Sequence, residues 1–243
     1  MLRQLRAWFS GAHRIGAPFG YAICTAPRSG SNLLCQWLTS TGVLGRPLEY
    51  FNTPGRRALD DPHYPDDKRE QIAWILAKGA TANGIYGVKL FSVDSHLVSP
   101  VASASPTLPV HAYIYLERAD RLGQAISWTR ALQTQQYRST QPVQGPIRYD
   151  ASAIRARLEA INLEYANWSD FFKQHDLRPL RLTYEDVTKS PQSAIDDVAA
   201  FLRVNQRALI DIDQVTLRMQ RDATTTQWRE RFTQECEDTD ETH

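Results

Sequence analysis

Short apolar runs alternate along this chain with longer stretches whose apolar residues recur at helical spacing. Runs at 21–25, 85–91, 111–117 and 180–184 are mostly followed by turn residues or by the start of a helix. A short run that is apolar at nearly every position predicts a strand buried on both faces. After the first run, Leu33, Leu34, Trp37, Leu38 and Thr41 fall on one face of a segment that stops at Gly42, the pattern of an amphipathic helix over 33–41. Further helices are predicted over 66–78, from Arg121 through Leu132, over 153–175 with Ser152 as its cap, and over 191–203. The long one presents Ile154, Leu158, Ile161, Tyr165, Trp168 and Phe172 on one face. The last has Ser190 at its cap and Pro191 at its first position, where a missing N–H costs nothing. Strands alternating with helices predict an α/β fold with a mostly parallel central sheet and helices on both faces. Ligands then sit at the carboxyl ends of the strands. Residues 53–67 and 139–150, with their prolines and other turn residues, read as mobile surface loops.

The turn after the first strand carries the most chemistry. Pro27, Arg28, Ser29, Gly30, Ser31 and Asn32 lie between a buried strand and the open N-terminus of a helix. The first N–H groups of a helix lack intrahelical partners and carry the positive end of its dipole, so they attract an anion. Gly30 lets the backbone curl close to that anion, Ser29, Ser31 and Asn32 add side-chain donors, and Arg28 adds a full charge. The turn reads as a cradle for phosphate. It is not the nucleotide triphosphate loop, because no lysine follows Gly30 and no glycine stands five residues before it. Nor is it a cysteine-phosphatase loop: only three residues separate Cys24 from Arg28, and Cys24 falls inside the strand as a small hydrophobe. No G-x-G-x-x-G occurs. A second arginine, Arg118, ends the third strand just before a helix and so shares a sheet edge with Arg28. Ser127, nine residues later, lies more than one turn into that helix and faces back toward the edge.

Composition narrows the class. At 243 residues the chain is long enough for one large domain over 21–243, preceded by an N-terminal extension over 1–20. A hydrophobic fraction of 42% and a charged fraction of 23% are ordinary for a globular protein. With a net charge of +1 there is no global basic field, which argues against nucleic acid as a partner. The apolar runs are too short to span a bilayer, and the first residues lack an apolar core of signal-peptide length, so a cytoplasmic protein without stable membrane insertion is expected. The three cysteines leave an odd thiol, and the six histidines are scattered without metal-ligand spacing. No metal is expected.

Four segments, in order along the chain, resemble those of the sulfotransferase superfamily. Pro27-Arg28-Ser29-Gly30-Ser31-Asn32 resembles its 5′-phosphosulfate loop, which implies 3′-phosphoadenosine 5′-phosphosulfate as the sulfuryl donor. Arg118 and Ser127 match the pair that holds the 3′-phosphate of that donor, with a spacing of nine where eight is usual. Leu180-Arg181-Leu182-Thr183-Tyr184-Glu185-Asp186-Val187, followed by Ser190-Pro191, is similar to L-x-Y-E-D-L…P, which implies Tyr184 beside the adenine. The stretch from Arg221 and Asp222 to Phe232 resembles the C-terminal donor-binding loop; its glycines are absent and Trp228 is kept in register.

Within the superfamily, three more stretches are similar to the family of mycobacterial trehalose 2-sulfotransferase. They are Arg46-Pro47-Leu48-Glu49-Tyr50-Phe51, Gly84-Ile85-Tyr86-Gly87-Val88-Lys89-Leu90 and Ser127-Trp128-Thr129-Arg130-Ala131-Leu132-Gln133-Thr134. Cytosolic sulfotransferases place a histidine base two residues after a lysine; here that position is Phe91, which cannot take a proton. The resemblance implies Glu49 as the base, Arg28 and Lys89 as charges on the leaving phosphate, and Glu49, Tyr50, Phe51 and Asn52 around the acceptor. That acceptor would be a sugar or glycolipid hydroxyl, and the enzyme a homodimer. Pro27 stands where the trehalose enzyme has a sugar-binding glutamine, and His96 is the alternative base. Two other readings stay open: a phosphoryl-transfer enzyme of related fold, and a non-catalytic nucleotide-binding protein.

Overall fold

The computed structural model describes residues 18–101, 106–217 and 223–240. Residues 1–17 of the expected N-terminal extension, and Arg221 and Asp222 of the C-terminal segment, lie outside the described residues. The strands β1 (Phe19–Thr25), β2 (Ile85–Leu90), β3 (Ala112–Glu117) and β4 (Leu180–Thr183) form one parallel sheet in the order β2-β1-β3-β4. Around it run α1 (Ser31–Ser40), α2 (Thr53–Leu59), α3 (Lys68–Lys78), α4 (Arg121–Thr134), α5 (Ala151–Gln174), α6 (Tyr184–Lys189), α7 (Pro191–Phe201) and α8 (Ala223–Asp240).

The alternation of side chains along a strand decides the layers. Tyr21 and Ile23 of β1, with Ala112, Ile114 and Leu116 of β3, face a core closed by Leu34 and Leu38 of α1 and Ile195 and Val198 of α7. Ala22, Cys24, Tyr113 and Tyr115 face the opposite core, which Ile126 of α4, Ile161 and Trp168 of α5, and Trp228 and Phe232 of α8 complete. Both faces are dry, so β1 is apolar from Tyr21 to Cys24 and β3 from Ala112 to Leu116. From β1 the chain crosses to one neighbour, β2, and then back past β1 to β3 on its other side. The carboxyl end of β1 is therefore a topological switch point, the place where ligands bind in open α/β sheets. The Pro27–Asn32 turn sits there.

Several local expectations change. Residues 53–59 form α2 instead of a mobile loop: the Asn52 side chain accepts from the Gly55 N–H at 3.1 Å, and Pro54 lies in the first turn, where it is tolerated. The long helix starts before Ser152, because Asp150 caps it by accepting from the Ala153 N–H at 2.9 Å. Ser190 holds the cap position of α7 without a side-chain hydrogen bond. Tyr184 opens α6 instead of ending β4, and the segment read as a C-terminal loop is the helix α8. Residues 139–150 are irregular, yet Gln133 of α4 pins them through two hydrogen bonds to the Arg148 backbone at 2.8 and 2.9 Å.

Candidate active site

The turn after β1 is held open by its own strand and by α4. Thr25 Oγ1 lies 2.7 Å from both Ser29 Oγ and the Leu116 carbonyl oxygen, and Trp168 donates to the Thr25 carbonyl at 3.0 Å. Gln124, fully buried, donates to the Pro27 carbonyl at 2.7 Å and accepts from the Tyr165 hydroxyl at 3.2 Å. These bonds satisfy a buried backbone and fix its path. Gly30 occupies the cap position of α1 at φ 84° and gives the helix no side-chain cap. A Cβ there would fall 2.2 Å from the ring of Tyr184, so only glycine fits between that ring and the turn. Ser31 and Asn32 open α1, and the buried Ser29 lines the inside of the turn.

Arg28 sits in the left-handed region at φ 62°, a strained conformation for a residue with a side chain. Its Nε donates to Ser127 Oγ at 3.1 Å and its Nη1 to the Tyr137 carbonyl at 2.5 Å. No carboxylate pairs with it among the described residues. Burial, then the guanidiniums of Arg118 and Arg130, push its pKa below the ordinary arginine value. Arg118 lies over the Tyr184 ring at 4.8 Å, and its buried Nε has no hydrogen-bond partner. The guanidiniums of Arg118 and Arg130 thus both act on Arg28 at this corner. The expected donor residues Arg28, Ser29, Gly30, Ser31, Arg118, Ser127 and Tyr184 are brought together. Trp228 is not in that group: it is buried edge-on to Tyr149 at 5.7 Å, where it packs α8 down.

The other half of the site is built on Lys89. This side chain, 4% exposed, leaves β2 and places its ammonium 2.9 Å from Asn32 Oδ1 and 3.3 Å from Glu49 Oε2. One buried cation therefore ties the first turn of α1 to the carboxylate expected to act as base. Glu49 lies between two cavities. One, of about 230 Å³, is lined by Glu49, Phe51, Asn52, Lys89, Phe91 and Asp94. The other, of about 250 Å³, is lined by Asn32, Gln36, Glu49, Asp60, Arg138 and Gln214 among others.

Two residues expected in this half stand apart from both cavities. Tyr50 is 1% exposed, donates its hydroxyl to the Arg46 carbonyl at 2.5 Å and packs on Trp74, so it belongs to the core and lines neither cavity. His96 is exposed against the Val93 carbonyl at 3.2 Å and also lines neither cavity. Its near neighbour Asp94 faces the smaller cavity, with its pKa raised by burial and by Glu49 despite Lys68 and His96. Sequence reasoning missed Asp94, Gln124 and the part played by Arg130. Only Arg130 left a signal, inside the Ser127–Thr134 stretch already singled out. Among the described residues, no group of three or more His, Cys, Asp or Glu could hold a metal ion, and no helix is long and apolar enough to cross a membrane.

A cationic corner at a switch point is thus joined through a buried lysine to a carboxylate beside a cavity. Residues 20–235 match the family described as Stf0 sulphotransferase, and the chain belongs to that family. It is a sulfotransferase. Among similar proteins, the trehalose 2-sulfotransferase of Mycolicibacterium smegmatis is 24% identical over 262 residues, covering 90% of this chain and 96% of that one. The trehalose 2-sulfotransferase of Mycobacterium tuberculosis is 27% identical over 207 residues, covering 68% of this chain and 76% of that one. Among solved structures, a sulfotransferase from Alicyclobacillus acidocaldarius matches with a TM-score of 0.48 at 11% identity, covering 86% of this chain and 87% of that one.

Proposed function

We propose that this sulfotransferase moves a sulfuryl group from 3′-phosphoadenosine 5′-phosphosulfate to a hydroxyl of a sugar or glycolipid, with trehalose as the first acceptor to try. The observation that carries the reading is the Glu49–Lys89–Asn32 chain, which joins the anion cradle to a carboxylate at the cavity wall. The residues fit a donor with phosphate at both ends of its nucleoside. The unpartnered Arg118 Nε, with Ser127, suits the 3′-phosphate; the turn from Arg28 to Asn32 suits the phosphosulfate; Tyr184 offers a ring beside both. Glu49 takes the proton of the acceptor hydroxyl while the hydroxyl oxygen bonds to sulfur. The bond from sulfur to the bridging oxygen breaks, and Lys89 and Arg28 offset the charge left on the departing phosphate. Phe51, Phe91, Asn52 and Asp94 give the cavity aromatic faces and polar acceptors, a lining suited to a polyhydroxyl ligand.

The same reading has residues 21–243 acting as one unit, as a homodimer in the cytoplasm, and needs neither metal nor nucleic acid. Its test is nucleotide binding. At a hundredfold excess over its dissociation constant, 3′-phosphoadenosine 5′-phosphate should stabilise the chain by about 2.7 kcal/mol, enough to raise the melting temperature by several degrees. AMP should do far less, and Arg118→Ala should erase the difference. Equal shifts with the two nucleotides would refute a dedicated 3′-phosphate site, and a larger shift with ATP and Mg²⁺ would favour phosphoryl transfer.

A further inference from the structure

Arg118 has a competitor beside it. Asp120 Oδ2 lies 3.5 Å from Arg118 Nη2 and only 2.6 Å from Nη2 of Arg229, on the C-terminal helix α8. Its other oxygen caps α4 by accepting from the Gly123 N–H at 2.9 Å. Burial works to raise the Asp120 pKa, but Arg229, the Gly123 N–H and Arg118 together hold it below the ordinary aspartate value. An ionised carboxylate in that position opposes a phosphate on Arg118 twice, by occupying the guanidinium and by repelling the ligand. Arg229 offsets both. The shorter contact goes to Arg229, and Arg118 is left with a long one, a buried Nε without a partner and its face on Tyr184.

The arrangement is built to close at this spot. A Cβ on Gly123 would fall 2.1 Å from Asp120 Oδ2 and 2.6 Å from Arg229 Nη2, so the pair needs a glycine beneath it. The helix that delivers Arg229 is seated by Arg130, which donates to Thr225 Oγ1 at 2.7 Å, and by Trp228 against Tyr149.

We propose that Arg229 is a positioning residue, holding the Asp120 carboxylate off Arg118 so that recognition of the 3′-phosphate depends on the docked C-terminal helix. The inference rests on the reading that Arg118 receives that phosphate. It is tested by calorimetric titration of 3′-phosphoadenosine 5′-phosphate and of AMP into the full chain, its Arg229→Gln variant, and Arg229→Gln combined with Asp120→Asn. Arg229→Gln should weaken the 3′-phosphorylated nucleotide by about tenfold, the order expected from one uncompensated charge nearby, and leave AMP unchanged. Adding Asp120→Asn should restore affinity to within about threefold of wild type, since an asparagine still caps the helix but no longer competes. A purely structural role for Arg229 would not be rescued by removing that charge. No loss in Arg229→Gln, or a double variant as weak as the single one, would overturn the proposal. A wild-type protein that binds both nucleotides equally would instead remove the 3′-phosphate site, and this inference with it.

Discussion

Glu49 is set apart from the other carboxylates by what surrounds it. It forms part of the wall of both cavities, and its partner is a buried lysine that also holds the first turn of α1. Glu49→Gln keeps the size of the side chain and its ability to bond Lys89 through the amide oxygen, while removing its capacity to take a proton. Turnover should fall by roughly a hundred- to ten-thousandfold, the range of general-base catalysis. Affinity for the nucleotide should hold, because Lys89 keeps its bond to Asn32. His96→Asn, at an exposed residue that lines neither cavity, should stay within a few fold of wild type. Steady-state rates and nucleotide titration on both variants check the assignment. A dead histidine variant, or lost nucleotide binding in Glu49→Gln, would contradict it.

At the scale of elements, the caps make the sharpest prediction. Asp150→Ala removes the side chain that accepts from the Ala153 N–H and should cost about 1 kcal/mol in urea denaturation. Ser152→Ala, inside the first turn of α5, should leave stability unchanged or raise it by a few tenths of a kcal/mol. A larger loss at Ser152 would put the helix start back where the sequence suggested. Sheet, helices and their order were legible because dry strands and amphipathic helices carry different periods, and those periods survive in the residues. What escaped had other causes. Pro54 and Gly55 look like breakers, but the first turn of a helix tolerates both, so α2 read as a loop. In α8 the stripe Trp228, Phe232 and Cys236 was present at helical spacing but lay in a threonine-rich stretch that resembled a glycine loop. Tyr50 and Phe51 are adjacent aromatics, and only packing decides that one joins the core while the other meets a cavity. The partners of the site were out of reach for the same reason. Arg28 meets Ser127 across 99 positions, Gln124 meets Pro27 across 97 and Lys89 meets Asn32 across 57. Motif order implied that such residues share one site; it could not show which atoms touch.

At the scale of the molecule, the strand order makes the site. Placing β1 between β2 and β3 brings Lys89 from one neighbour and Arg118 from the other to the end of the strand that carries Arg28. A chain with a net charge of +1 thereby places Arg118 and Arg130 close enough to Arg28 to act on it, a local concentration of positive charge. The central claim is the transfer itself. Mass spectrometry of the protein incubated with 3′-phosphoadenosine 5′-phosphosulfate and a panel of sugars, trehalose first, measures it most directly. The account predicts a sulfated sugar and 3′-phosphoadenosine 5′-phosphate formed one for one, both lost in Glu49→Gln. A phosphorylated sugar formed from ATP, or tight nucleotide binding with no sulfated sugar or glycolipid from any acceptor, would contradict it.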